Sequence, residues 1–97
     1  MKYSKEYYID GKRVVLYTLG ELCNATFREH QTLRKWEKNE IIPPPSYKDD
    51  RGRRLYTKGQ IKLVKELIEK YNVRQGASIP EEFIEEIWDK FYTVKEE

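Results

Sequence analysis

A mainly α fold with a small β component (α+β) is predicted by three features of this sequence. Apolar residues recur at helical spacing in Ile61, Val64, Leu67, Ile68 and Tyr71, and again in Ile84, Ile87, Trp88 and Phe91. Thr18 and Thr57 each stand three residues before a Glu or Gln, Glu21 and Gln60, the signature of a capping box that opens a helix. Gly11 and Gly52 mark turns between short stretches of strand character. The 97 residues suffice for one domain, and with 37% of them charged the core is small under a heavily charged surface. Aromatics at 13%, including eight Tyr, argue for a folded chain rather than a disordered one.

Taken in order, "YYIDGKRVVLYT" reads as a β-hairpin, because Asp10-Gly11 supplies the two left-handed residues of a tight turn. Thr18 then caps a short helix, "LGELCNAT". A turn around Phe27 and Arg28 leads to a second helix over about residues 29–39, which must end before Pro43-Pro44-Pro45. "SYKDDRGRRLY" (46–56) combines turn residues with a strand, with Gly52 at the tip. Thr57 opens the third helix, which Asn72 or Gly76 ends. Ser78 is the expected cap of the last helix, with Pro80 in its first turn and Glu81 and Glu82 at the positive end of its dipole. The chain thus divides into a hairpin arm (1–17), a central unit (18–76) and an acidic amphipathic helix (77–97).

The second helix carries the strongest functional signal. At about 100° per residue, Leu33 and Trp36 share one side and point to a core. Opposite them fall Arg28, Gln31, Arg34, Lys35 and Lys38, four cations and one amide with no acid, while Glu37 and Glu40 lie toward the edge of the buried side. A solvated helix normally mixes signs, since alternating charges gain i,i+4 pairs. A one-sign face suits a polyanion, and double-stranded DNA is the natural one. Gln31 is placed to pair with N6 and N7 of adenine in a major groove. "RGRR", with Arg51, Arg53 and Arg54, adds a cationic tip that can lie along a phosphate backbone or enter the minor groove.

Composition excludes other classes. No apolar run approaches the roughly 20 residues of a membrane span. The polar opening "MKYSKEYYIDGK" has no signal-peptide core, so the expected location is the cytoplasm, with no membrane partner. Cys23 is the only cysteine and His30 the only histidine, too few for a structural zinc site, and Cys23 among Leu19, Leu22 and Phe27 reads as core. No nucleophile triad and no phosphate-binding glycine loop is present, so neither an enzyme nor a cofactor is expected. Glu85, Glu86 and Asp89 read as solvated charge.

The charge is asymmetric. Residues 1–79 hold 17 Lys/Arg against 10 Asp/Glu, a net of +7, while residues 80–97 hold 2 against 7, a net of −5. The stripe Ile84, Ile87, Trp88 and Phe91, flanked by Phe83 and Tyr92, has three uses: packing on its own chain, pairing with a copy of itself, or docking on another protein. The last two make these four residues a candidate protein interface.

The order helix, turn, basic helix, prolines, basic hairpin, helix resembles the winged helix-turn-helix domain of MerR-like regulators and of related phage excisionase-type proteins. The resemblance rests on "YTLGEL" (17–22), "QTLRKWEKNEIIPPP" (31–45) and "RGRRLYTKGQI" (51–61), and covers residues 17–71. It implies a winged helix-turn-helix fold, here with a hairpin added before it and an amphipathic helix after it. It further implies that the 29–39 helix enters the major groove, that Arg34 holds a phosphate, and that Arg53, Arg54 and Tyr56 grip the backbone from the wing. The family usually has Gly where this chain has Phe27, a small polar cap where it has Glu29, and often Gly where it has Asn39. The long dimerisation helix and effector site of MerR regulators have no counterpart in these residues. The expected function is sequence-specific DNA binding as a small transcriptional regulator of phage or mobile-element type. An excisionase-like architectural factor, a small-terminase-type packaging subunit, and a protein-interaction adaptor working through the last helix are the alternatives. One helix reads few base pairs, so a homodimer or a cooperative array on DNA is expected.

Overall fold

Asp10 (φ 51°) and Gly11 (φ 78°) close the first hairpin in the computed structural model, which describes residues 4–94. Both need the left-handed region that a two-residue turn matched to strand twist demands. The hairpin pairs β1 (Ser4–Ile9) with β2 (Lys12–Thr18), from Ser4 opposite Tyr17 to Ile9 opposite Lys12. It does not stand apart as an arm. β2 also pairs with β4 (Arg54–Thr57), and β4 with β3 (Tyr47–Lys48), giving one antiparallel sheet in the order β1-β2-β4-β3. Residues 1–3 and 95–97, the outer ends of the expected arm and last helix, lie outside the described residues.

Four helices complete the α+β fold: α1 (Leu19–Thr26), α2 (His30–Lys38), α3 (Lys58–Lys70) and α4 (Glu81–Lys90). Helix, turn, helix, hairpin wing, helix is the winged helix-turn-helix order. At Thr57 the capping box forms in full: the Thr57 Oγ1 accepts from the Gln60 N–H at 3.1 Å and the Gln60 Oε1 accepts from the Thr57 N–H at 3.0 Å. At Thr18 it does not form, and the buried Thr18 Oγ1 has no hydrogen-bond partner among the described residues. Gln60 is neutral and can be buried, whereas the half-exposed Glu21 keeps its carboxylate hydrated.

Three helices end on a left-handed residue that is not glycine: Phe27 (φ 56°), Glu40 (φ 59°) and Asn72 (φ 51°). At the end of α2 the Ile41 N–H donates to the Trp36 carbonyl and the Glu40 N–H to that of Glu37, a Schellman motif, so Glu40 rather than Asn39 takes the left-handed position. The start of α4 also differs from expectation. Proline restricts Ile79 to extended backbone, so a helix cannot run through it; Pro80 becomes the N-cap and Ser78 lies outside.

One buried cluster draws on α1 (Leu19, Leu22, Cys23), α2 (Leu33, Trp36), β4 (Tyr56), α3 (Ile61, Leu63, Val64, Leu67) and α4 (Phe83, Ile87, Phe91). Phe83 meets Trp36 and Tyr71 edge-on, with ring centroids 5.8 and 6.5 Å away, and Phe91 meets Tyr56 at 6.4 Å. Of the three uses open to the last helix, packing on its own chain is the one the fold adopts. Ile87 and Phe91, expected at a protein interface, are fully buried inside the chain, because α4 supplies the aromatic bulk that a domain this small needs. Of the expected interface residues, only Trp88 is exposed and Ile84 partly so.

Candidate nucleic-acid interface

Helix α2 buries Leu33 and Trp36 and leaves Gln31, Arg34, Lys35 and Lys38 exposed. The 3.6-residue repeat enforces this split, since Leu33 and Trp36 are three apart and the cations occupy the remaining arc. Arg34, Lys35 and Lys38 make no ion pair among the described residues, so their charge is available to an incoming anion. Lys35 and Lys38 also lie in the last turn, where the helix dipole favours cations.

Arg28 does not belong to this face. One of its terminal nitrogens donates to the Thr26 carbonyl at 2.6 Å and the other to the Val73 carbonyl at 2.7 Å. Its guanidinium lies 5.5 Å from the centre of the Trp36 ring. Burial pushes its pKa down. The helical wheel placed Arg28 outward because it extended α2 by two residues too many; in the turn, unpaired carbonyls claim the side chain instead. Gln75 Nε2 donates to the Phe27 carbonyl at 2.5 Å, so the 73–75 loop is tied to the same turn. A crevice with Glu29, Thr32 and Trp36 on one side and Arg74, Gln75 and Ile79 on the other results. Arg74 and Gln75, both exposed, therefore flank the first half of α2. Nothing in their local sequence marks them; the long-range Arg28–Val73 and Gln75–Phe27 bonds bring them there.

The wing is organised by Asp49. Its Oδ1 accepts from the backbone N–H of Arg51 and of Arg53, both at 2.9 Å, and its Oδ2 accepts from Arg53 Nε at 2.8 Å. Those bonds, the Arg53 N–H foremost, hold the Asp49 carboxyl below the usual carboxylate range. Arg53 thus reaches solvent already paired. Arg51 is exposed and makes no ion pair among the described residues.

Two expected wing residues are elsewhere. Tyr56 is 1% exposed and packs on Phe91, with burial driving its hydroxyl pKa up. Arg54 turns away from the tip toward α2, where its Nε donates to Glu37 Oε1 at 2.5 Å and its second nitrogen to Oε2 at 3.3 Å. The hydrogen bond to Glu37 raises the Arg54 pKa further. Arg54 and Tyr56, two apart in β4, project from one face of the strand, Arg54 meeting Glu37 of α2 there and Tyr56 meeting Phe91.

The connector between α2 and the wing is held from the other side by α4. Trp88 Nε1 donates to the Glu40 carbonyl at 2.8 Å, and the Tyr92 hydroxyl to the Pro44 carbonyl at 2.6 Å. The acids Glu81, Glu82, Glu85 and Asp89 face solvent. Among the described residues there is no group of three or more His, Cys, Asp or Glu placed to hold a metal, and no helix long and apolar enough to cross a membrane.

The family model of MerR HTH regulatory proteins matches residues 17–75, more than half of the chain. No curated protein and no solved structure matches. The matched span begins inside β2 and stops before α4, so most of the hairpin and all of the last helix lie beyond it.

Proposed function

The chain belongs to the MerR family of helix-turn-helix regulatory proteins, and from that premise we propose that it reads double-stranded DNA with α2 in the major groove and the wing on the adjacent backbone. The family is one of DNA-binding transcription regulators. The observation that carries the residue-level reading is the unpaired, one-sign face of Arg34, Lys35 and Lys38 around Gln31. The cations take phosphates and Gln31 takes a base edge. Arg51 is the wing residue free to add a phosphate contact. Arg53 contributes less, because Asp49 already neutralises it.

A small regulator of phage or mobile-element type is the finer reading. It is supported by a hairpin added to the wing sheet and by an α4 that packs its aromatic residues into the core. A homodimer or cooperative array on DNA would supply the specificity that one α2 lacks.

The test is binding to random-sequence duplex DNA over a salt series, followed by selection from a randomised library. Log affinity should fall linearly with log salt, with a slope shallower by about 0.9 for each of Arg34→Ala and Lys35→Ala. An enriched motif should emerge that Gln31→Ala relaxes at one position. A salt-independent or absent complex removes the reading. Strong bending of the bound DNA would make the protein an architectural factor, and ring-shaped oligomers a packaging subunit.

A further inference from the structure

We propose that Arg54 is a positioning residue for DNA recognition: held by Glu37, it sets the spacing of α2 and the wing and takes no phosphate itself. This rests on the DNA-binding reading above and reverses the role that resemblance alone gives to Arg54.

The geometry is a two-bond fork, Nε to Oε1 at 2.5 Å and the second nitrogen to Oε2 at 3.3 Å. The Arg54 and Glu37 side chains are only 29% and 20% exposed, so solvent screens the pair less than a surface bridge. Among the described residues it is the one direct side-chain bond between α2 and the wing strands. It joins residues 17 positions apart and so closes a loop that contains all three consecutive prolines. Trp88 and Tyr92 hold that loop from the far side through its carbonyls, so the Glu37–Arg54 pair has a stiff frame to act against.

Two things follow for a duplex. Helix and wing must meet the same DNA at once, and a fixed spacing removes the ordering cost of bringing them into line. Glu37 also sits on the helix that approaches the phosphates, where an unpaired carboxylate would repel them. Arg54 cancels that charge from behind. Its own charge is thereby spent, and counterion release on binding comes from Arg34, Lys35, Lys38 and Arg51 instead.

The experiment is a double-mutant cycle read by duplex binding over a salt series: wild type, Arg54→Ala, Glu37→Gln and the double variant, with Arg51→Ala for comparison. Melting curves establish folding, and Arg54→Met, which keeps the aliphatic stem, replaces Arg54→Ala in the same cycle if the latter does not fold. Arg54→Ala should weaken the complex roughly five- to tenfold, and less than about twofold in the Glu37→Gln background, where the double variant, its pair of charges removed together, keeps the wild-type salt slope. Arg51→Ala should make the slope shallower by about 0.9. A double-variant slope shallower than the wild type by that amount, an equal loss in both backgrounds, or no loss in either overturns the positioning role and leaves DNA binding standing. Failure of the wild type to bind in a salt-dependent way overturns the DNA reading, and the role of the pair with it.

Discussion

The indole N–H of Trp88 donates to the main-chain carbonyl of Glu40, 48 residues earlier in the chain and at the left-handed residue that follows α2. Trp88→Phe keeps an aromatic ring and removes the donor together with the five-membered half of the indole. The expected loss is about 0.5–1 kcal/mol, since the contact is partly solvated. For a domain of this size that lowers Tm by several degrees. A calorimetric scan of both proteins decides it, and an unchanged Tm would mean that the bond contributes nothing.

Phe83 lies at the centre of the core, edge-on to both Trp36 and Tyr71. Phe83→Ala should cost about 3–5 kcal/mol, much of the 5–15 kcal/mol that a whole domain possesses. Urea titration should show the midpoint falling sharply. A helix that merely rested on the surface would give a change under about 1 kcal/mol.

Phe27 occupies a left-handed position and is 80% exposed as a residue, so the side chain has little packing to set against backbone strain. Strain of about 1–2 kcal/mol is expected there, and glycine relieves it while adding unfolded-state entropy of about 0.4–1 kcal/mol. Phe27→Gly should therefore raise Tm by a few degrees. A fall would show that the ring is held by something that its exposure conceals.

Glu86 accepts from Lys90 at 2.7 Å, from the Tyr71 hydroxyl at 2.6 Å and from Lys70 at 2.9 Å. These three bonds, Lys90 first, pull its carboxyl down to about 2 from an ordinary 4.5. A depressed acid stabilises the fold above its unfolded value, and that contribution disappears as pH drops from about 4.5 through about 2. Glu86→Gln should be less stable than the wild type at pH 6, with the two melting curves converging toward pH 2. Parallel curves across that window would rule the link out.

Asp49 spends its charge on Arg53 while holding the wing backbone. Asp49→Asn keeps an acceptor for the loop N–H groups and releases the arginine. The salt dependence of DNA binding should then steepen by up to about 0.9, one more phosphate neutralised. An unchanged slope would put Arg53 out of reach of the backbone.

Local chemistry made much of this fold legible. Asp10-Gly11 announces its turn, Thr57 and Gln60 announce their capping box, and Leu33 with Trp36 orient α2. What stayed hidden was decided by contacts far apart in sequence. Arg28 looked like one more outward cation until Val73 claimed it. Arg54 and Tyr56 looked like wing residues because they follow Gly52. Their two-residue spacing places them on one strand face, and Glu37 at the margin of α2 was the available partner. The last helix had a legible stripe but no legible destination. Which surface an amphipathic helix covers depends on what the other elements leave open, and here they left a gap beside Trp36 and Tyr56 that Phe83, Ile87 and Phe91 fill.

Because α4 fills that gap, a nascent chain emerging from the ribosome has made α1, α2 and the wing well before it has the aromatic residues that lock them together. The core that fixes the cationic face of α2 is therefore complete only once residue 91 is free to pack, and a chain cut before that point would carry the face without the aromatic side chains that hold it in place.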